Sequence, residues 1–577
     1  MKKMALLLLL VLTGLVAFVL LNRQGQEEID PARFLPEQTA LYIEHRDLEA
    51  FVQDFKQSKL GLALSSIDYE LLSRELEIEE SFYQEFEKAR NDVTEFLDGQ
   101  IFKQMLSKKV IVSLLPIKAP GSKDPLVEAR KRLLVILEPK LNSSLIDLIG
   151  YLNLEGTDQT SQQHGDHLVK FHHLEDGETL VSVKVDGLVL LSYNENIIFG
   201  CLDRFDQGKQ SLMTHADFKY LREEHRDSKV FFYSSIQSIR QQIPHFIQML
   251  DEPEQKLIID KMAGGKGWRT LSFGIDAGQD TISDKATIFF DKEEIDAATR
   301  ELLLVPPEKN ETLAMVPAEA VVYYWTNTFN LSTIWKTIQN SQGDQKEQQL
   351  KMKKEITKTI GMDPEKFFAL FGSKIAFFLE EQSEISFIPL PGFSAMMQLK
   401  QPVKAGHFVE NKLKELHIPI HTTTYKQKEL RYWGNSVQQS FQPVYAIFNE
   451  YLYIASSVKL MKRMIDTADL GTGLQNDPGF LAVQNNSFLG KNNSVSFIRF
   501  SSFIQMTKEL VNWGGMILGL QNRRVANRSK ILIDQLINPI LDGMTMFSTV
   551  HARSYTTDDK IVFENKTILV PQQTTNE

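Results

Sequence analysis

The sequence predicts an α+β protein with two tandem homologous domains, largely antiparallel sheets and packed helices, preceded by one N-terminal transmembrane helix. Three observations lead to this fold class. The chain opens on a long apolar run, its two halves share matching stretches in the same order, and each half mixes helical periodicity with strands joined by short turns. A chain of 577 residues has room for roughly two to four separate cores.

The opening segment, residues 1–23, is predicted to be a membrane anchor. Lys2 and Lys3 precede residues 4–21, in which Thr13 is the only polar side chain. As a helix these residues would cover about 27 Å, close to the hydrocarbon thickness of roughly 30 Å.

The flanking charges predict the orientation of this anchor. Basic residues lie before it and Glu27, Glu28 and Asp30 soon follow, so the positive-inside bias places the body outside the cytosol. A cleaved signal peptide stays open as an alternative, although the bulky run 16–21 does not resemble a cleavage site. We therefore expect a single-pass protein of the bacterial inner membrane, with its body in the periplasm or outside the cell.

Composition excludes several classes of protein. Lys and Arg number 64 against 74 Asp and Glu, and the net charge of −10 argues against a nucleic-acid-binding surface. The single cysteine, Cys201, excludes an internal disulfide and any cysteine-rich metal site held by this chain alone. Residues 264–267 lack the spacing of a phosphate-binding loop, and we expect no cofactor.

The two halves of the body carry matching stretches. Pro36 and its neighbours correspond to Pro317 and its neighbours, and Lys109 corresponds to Lys374 within a similar strand. Two further matches keep the same order, 188–192 with 451–455 and 281–289 with 556–563. A tandem duplication with changed loop lengths explains this order most simply.

A linker separates the two copies. Val305 is followed by two prolines, which remove backbone donors and favour an extended chain. The predicted organisation is therefore an anchor at 1–23, a first repeat at 34–291, a linker at 292–312 and a second repeat at 313–568.

Within the first copy, strands and helices alternate without the pattern of a doubly wound sheet. Helical spacing covers 48–55, 68–97 and 196–205, and Gly177 and Asp186-Gly187 supply turns between strands. Strands joined by hairpins favour an antiparallel α+β arrangement. The predicted strands are 40–44, 109–115, 133–137, 167–174, 179–185, 188–193, 229–234, 269–277 and 285–290.

The opening of the first copy resembles a known family. Pro36 precedes a short strand, and Asp47-Leu48 begins a helix that ends near 59–61. These features resemble domain-of-unknown-function family 3352, a group of uncharacterised bacterial envelope proteins. The resemblance covers most of the exported chain and implies an N-terminal membrane signal and no assigned activity. The second copy departs from it at 327–330, and no functional residue carries over.

The densest group of potential metal ligands is a histidine cluster. His164, His167, His172 and His173 lie within ten residues, and imidazole suits zinc or copper. The alternative is a solvated strand and turn, because strand alternation directs His172 away from His167 and His173.

Two other patterns have competing explanations. Ser456 and Lys459 form an S-x-x-K pattern that suits acyl transfer, but the further elements of such enzymes are missing and the pattern also arises by chance. Residues 503–520 and 531–541 are apolar at helical spacing, which predicts either core packing or a groove for an apolar ligand or partner helix.

The sequence thus predicts a membrane-anchored extracytoplasmic protein of the bacterial envelope, of unknown activity, and favours a non-catalytic binding or scaffold role without deciding whether it is an enzyme. Its expected partners are the membrane, through residues 4–21, and a protein or an apolar ligand. Two alternatives stay open: an envelope hydrolase whose site is not visible as a linear motif, and a carrier of apolar ligands. A hydrolase should gather polar groups of shifted pKa in one cleft, a carrier should enclose a cavity, and a binding protein should expose an apolar patch.

Overall fold

The computed structural model describes residues 29–571, apart from 99–108, 117–124, 139–158, 175–176, 248–265, 279, 340–344, 382–388, 435–441 and 483–486. Contacts divide the chain into two units. The first unit holds the chain up to Ser58, Glu77–Gly278 and Asp284–Ile295. The second unit holds Lys59–Leu76, Gln279–Ser283 and the chain from Asp296 onward.

The described part of the first unit contains an antiparallel sheet. Its spatial order is β4-β5-β6-β7-β3-β2-β1-β8-β9, and β10 pairs with β9. These strands are β1 (Leu41–Arg46), β2 (Lys109–Leu114), β3 (Leu133–Glu138), β4 (Gln159–His164), β5 (His167–His173), β6 (Thr179–Val185), β7 (Leu188–Ser192), β8 (Val230–Ser235), β9 (Trp268–Ala277) and β10 (Thr281–Phe290).

Local sequence explains the hairpins of this sheet. Asp186 and Gly187 join β6 to β7 with φ angles of 44° and 85°, the left-handed pair that a tight two-residue hairpin needs. Val181, Val183 and Val185 of β6 are buried because alternate residues of a strand face the core.

The helices of the first unit pack on this sheet. Buried side chains of the helix after β7, such as Ile198 and Leu202, join Phe218 and Leu221 of the following helix in one core. The described helices are α1 (Leu48–Gln57), α4 (Glu80–Asp98), α5 (Pro125–Arg132), α6 (Glu195–Asp206), α7 (Ala216–Glu224) and α8 (Ile236–Ile247), while α2 (Lys59–Ser65) and α3 (Tyr69–Glu75) belong to the second unit.

The second unit has a sheet with the same strand order. The order β15-β16-β17-β18-β14-β13-β12-β20-β21-β22 is antiparallel throughout. These strands are β12 (Val322–Thr326), β13 (Phe371–Glu380), β14 (Gly392–Leu399), β15 (His421–Tyr425), β16 (Lys428–Tyr432), β17 (Val444–Phe448), β18 (Tyr451–Ala455), β20 (Ser494–Arg499), β21 (Phe547–Thr556) and β22 (Lys560–Leu569), and a separate pair joins β11 (Glu308–Lys309) to β19 (Lys491–Asn492).

Helices of the second unit pack on its sheet in a comparable way. The helix after β18 buries Leu460, Met461, Met464 and Ile465. The described helices are α9 (Ala297–Leu303), α10 (Leu331–Gln339), α11 (Gln345–Ile360), α12 (Pro364–Phe368), α13 (Pro402–Glu415), α14 (Val458–Leu470), α15 (Pro478–Leu481), α16 (Phe500–Gln521), α17 (Arg523–Leu532) and α18 (Asn538–Met544).

The predicted fold class requires a correction. The described residues mix helices and strands around a large antiparallel sheet, but none of their helices is long and apolar enough to cross a membrane. Even in the 22-residue helix α16, the charged residues Lys508 and Glu509 interrupt the apolar run. The fold class was therefore wrong in including a transmembrane helix. Residues 1–23, on which that helix was predicted, lie outside the described residues.

The predicted domain boundaries stay a prediction. The contact division falls at 295/296, within the predicted linker 292–312, and assigns residues 59–76 of the predicted first repeat to the second unit. The shared strand order is what a duplicated fold would give, and common descent of 34–291 and 313–568 remains a proposal.

Candidate binding surface

Two of the four predicted histidines lie at the hairpin between β4 and β5. His164 and His167 are directly opposed across the two strands. His164 Nε2 lies 2.8 Å from Asp203 Oδ1, and His167 Nε2 lies 3.0 Å from Asp206 Oδ1. The two aspartates are one turn apart on α6, so these contacts attach the hairpin to the helix.

The other two histidines lie at the opposite end of β5. His172 is buried, and its Nε2 lies 3.0 Å from Ser182 Oγ. Burial, with a smaller contribution from Lys170 and His173, lowers the pKa of His172. His173 is exposed, and its Nδ1 lies 3.1 Å from Thr179 Oγ1.

The fold therefore separates the histidine cluster into two pairs. His164 and His167 come together, whereas His172 and His173 lie several residues further along β5. Across the described ranges, no group of three or more His, Cys, Asp or Glu side chains is placed to hold a metal ion. Metal binding by the four histidines stays a prediction.

The S-x-x-K pattern has a local structural role. The backbone N–H of Phe393 donates to Ser456 Oγ at 3.1 Å, and this hydroxyl is buried next to β14. Ser457 precedes α14, and its Oγ accepts the N–H of Leu460 at 3.1 Å as a helix cap. Both hydroxyls thus fix the junction between β18 and α14.

An ionic network in the core of the first unit was not predicted. Glu44 on β1 is fully buried and accepts hydrogen bonds from the Tyr42 hydroxyl at 2.5 Å and from Arg46 Nε at 2.8 Å. Arg222 of α7 places Nη1 2.6 Å from the same carboxylate and Nε 3.3 Å from Asp30. The only signal in the sequence was an acidic residue at an inward-facing position of a strand. From the pattern of apolar and polar residues alone, such a residue is interpreted as exposed to solvent.

Electrostatics explain why this carboxylate stays charged. Burial by itself would raise the pKa of Glu44, but Arg222, Lys109 and Arg46 together lower it below the usual value. Burial raises the pKa of Tyr42 well above its usual range. The buried carboxylate is thus neutralised by basic partners that reach the edge of the core, where Arg46 and Asp30 are partly exposed.

The second unit has a charged cleft of about 400 Å³. Arg499 Nη2 donates to the Ala318 carbonyl at 2.9 Å and lies 3.2 Å from Asp477, while Arg463 pairs with the buried Glu380. Burial lowers the pKa of Arg463, and Glu319 acts in the opposite direction. The described lining of this cleft also contains Glu319, Glu381 and the Ser502 hydroxyl.

The apolar segment 503–520, for which core packing and a groove were both predicted, lies in a helical hairpin formed by α16 and α17. A Cβ on Gly515 of α16 would lie 2.5 Å from Ile533 Cδ1, and one on Gly519 would lie 3.1 Å from the Ala526 Cβ of α17. These two glycines, one turn apart, let the helices approach closely. The close approach leaves no space for a groove at these positions.

The end of this hairpin exposes apolar side chains. Leu520 is 79% exposed, and Met516, Leu518 and Val525 are exposed by 49%, 47% and 39%. We call Met516–Val525 the hairpin tip. Exposed apolar surface is typical of interaction sites where it is contiguous, and these four residues lie within one ten-residue segment. The tip is therefore the candidate binding surface of the described chain.

Comparisons with known proteins give little further information. No family model and no characterised protein matched the chain. A solved structure described as "Structure of crystal form III of TP0453" matches with 11% identity over 48% of this chain and 86% of that chain, at a TM-score of 0.25. A likeness at this level supports no conclusion about fold or function.

Proposed function

We propose that this chain is a non-catalytic binding or scaffold protein of the bacterial envelope. In this proposal residues 4–21 hold it at the inner membrane, and the body lies in the periplasm or outside the cell. The observation that carries the proposal is the exposed apolar hairpin tip, where Leu520 is 79% exposed. An apolar surface of this kind costs solubility unless it is covered by a partner.

The paired charges in the described clefts favour binding over the carriage of an apolar ligand. In the cleft of about 400 Å³, both arginines already pair with carboxylates. A second cavity, of about 250 Å³ beside α13, has a mixed lining: charged and polar side chains that include His407, Glu410 and Arg431, and apolar ones that include Val403 and Ile447. Arg431 pairs with Glu410. A carrier of apolar ligands needs a mostly apolar cavity, whereas both of these clefts contain several charged side chains.

Site-specific cross-linking in cells tests the binding role. A photoactivated cross-linking residue at position 520 should form adducts in the envelope, whereas the same residue at Leu470 should not. Leu470, at the end of α14, is a matched control because it is 72% exposed in the same unit. Equal labelling at the two positions, or none at either, would contradict the proposal.

Membrane attachment is tested separately. Deleting residues 1–23 should move the chain from the membrane fraction to the soluble fraction of the cell. Recovery of the intact wild-type chain in the cytosolic fraction would refute the proposed location.

A further inference from the structure

The hairpin tip lies in a segment whose charge is opposite to that of the whole chain. Between Glu509 and Asp534 there is no acidic residue, whereas the chain as a whole has a net charge of −10. The basic residues in this segment all lie on α17, namely Arg523, Arg524, Arg528 and Lys530. Arg523, Arg524 and Lys530 are exposed. The tip thus combines cations with exposed apolar side chains.

The apolar side chains surround the end of α16. At 3.6 residues per turn, Met516 and Leu520 lie on one side of the helix, and Leu518 lies nearly opposite. The close approach of Gly519 to Ala526 holds α17 against a third side, and Gly515 meets Ile533 in the short π-helix (Ile533–Ile537) that follows α17. The exposed apolar side chains therefore surround the last turns of α16, and Val525 extends this surface onto α17.

We propose that the hairpin tip docks on a bilayer surface that contains anionic lipid. This inference rests on the proposed binding function and names its partner. Binding is stabilised when aliphatic side chains enter the boundary between headgroups and acyl chains. It is stabilised further when Arg and Lys side chains stay among the lipid phosphates. The described helices do not include a membrane span, so the docking is shallow.

The chemistry of the tip favours lipid over a protein partner. Its exposed apolar residues are Met516, Leu518, Leu520 and Val525. Leu and Val, which make up three of these four residues, are under-represented among the side chains that supply most of the affinity of protein interfaces. A bilayer accepts aliphatic side chains without shape complementarity, and anionic headgroups complement the cations of α17.

The test uses the full chain incorporated into vesicles. Leu520→Cys carries an environment-sensitive fluorophore, and quencher-labelled lipids report contact with the bilayer. Cys201 is fully buried, and burial raises the pKa of its thiol to about 12, so it resists labelling. Leu470→Cys provides the matched control at similar exposure. Because the readout is local, attachment elsewhere in the chain does not produce it.

We expect blue-shifted, quenched emission from position 520 in vesicles containing phosphatidylglycerol, and neither change at position 470. Replacing Arg523 and Lys530 by Gln should lower the docking equilibrium roughly fivefold for each charge removed. Replacing Lys404 and Lys414 of α13 by Gln removes the same charge elsewhere in the unit and should leave docking unchanged.

Two results would overturn the inference. One is an equal signal at positions 520 and 470. The other is an equal signal at position 520 in vesicles of phosphatidylcholine alone. If position 520 forms protein adducts in cells but shows no quenching by lipid, the binding function stands and the lipid surface is rejected as its partner.

Discussion

Glu44 shows how a single residue of the core depends on its partners. Its carboxylate is buried and lies 2.6 Å from Arg222 Nη1, and the Tyr42 hydroxyl donates to it at 2.5 Å. A buried pair of charges adds little net stability compared with apolar residues, but removing one partner leaves the other charge uncompensated.

Glu44→Gln should therefore destabilise the first unit by about 3–5 kcal/mol. Urea denaturation, monitored by hydrogen exchange of the amides in β1 and β8, measures this change. Glu415→Gln is the control, because its carboxylate is 65% exposed beside Lys412 and exposed pairs contribute little. A similar small effect of both substitutions would show that Glu44 is not the charged centre of the network.

His551 makes the stability of the second unit depend on pH. It is fully buried against the rings of Phe480, Phe488 and Phe497, and its Nε2 lies 3.1 Å from Thr549 Oγ1. Burial, with a smaller effect of Lys566, lowers the pKa of His551 to about 4. The unfolded chain has a histidine pKa of about 6.5 and so binds the proton first as the pH falls.

The stability that His551 contributes is thus complete above about pH 6.5 and declines towards about pH 4, by up to roughly 3 kcal/mol. We expect His551→Gln to reduce the loss of stability of the second unit between about pH 7 and about pH 5. Unfolding free energies from urea titrations of the wild-type chain and the variant at both pH values measure this loss of stability. An unchanged pH dependence in the variant would assign acid sensitivity to other groups.

At the scale of helices, two glycines have opposite roles. A Cβ on Gly543 of α18 would lie 2.8 Å from Leu60 Cα and 2.9 Å from Ala63 Cβ of α2. Nothing lies within 4 Å of a Cβ on Gly514 of α16. The first glycine permits two helices to touch, and the second only weakens the helix that contains it.

We expect Gly543→Ala to destabilise the second unit by about 1–3 kcal/mol, because a backbone atom of α2 cannot move aside as a side chain would. Gly514→Ala should stabilise the same unit by roughly 0.5–1 kcal/mol through helix propensity. Thermal unfolding of the pair measures both changes. Opposite signs are the essential result, and a loss of stability in Gly514→Ala would contradict the open space around it.

At the scale of the whole molecule, the order of residues along the chain differs from their grouping in space. Residues 59–76, which carry α2 and α3, follow the first helix of the first unit but belong to the second unit. The crossing of α2 with α18 at Gly543 is one of the contacts that place them there. Cutting the chain at the linker would therefore deprive the second unit of two helices.

Leu72→Ala in α3 should accordingly loosen the second unit, although position 72 lies in the N-terminal half of the chain. Leu72 is 5% exposed, and truncating a buried leucine costs about 2–5 kcal/mol. Hydrogen exchange should rise in α16–α18. Leu202→Ala in α6, fully buried in the first unit, is the control and should act on β6 and β7. Faster exchange confined to the first unit in both variants would contradict this grouping.

Much of the local structure was predictable because it depends on neighbouring residues. The Asp186-Gly187 turn follows from the φ angles these two residues tolerate, and the apolar run at 503–520 forms a helix as its spacing predicts. The candidate surface was less predictable. The sequence showed that Met516 lies in an apolar segment, but apolar spacing is the same for a buried helix and an exposed one.

Composition and short-range geometry are enough to establish the acidic balance of the chain, the single thiol, and the local signals for strands, turns and helices. The three-dimensional fold was needed to show that Glu44 meets Arg222, that the four histidines separate into two pairs, that residues 59–76 join the second unit, and that Leu520 faces solvent. These outcomes depend on which distant segments pack together, and packing of that kind is set by shape and burial across the whole fold.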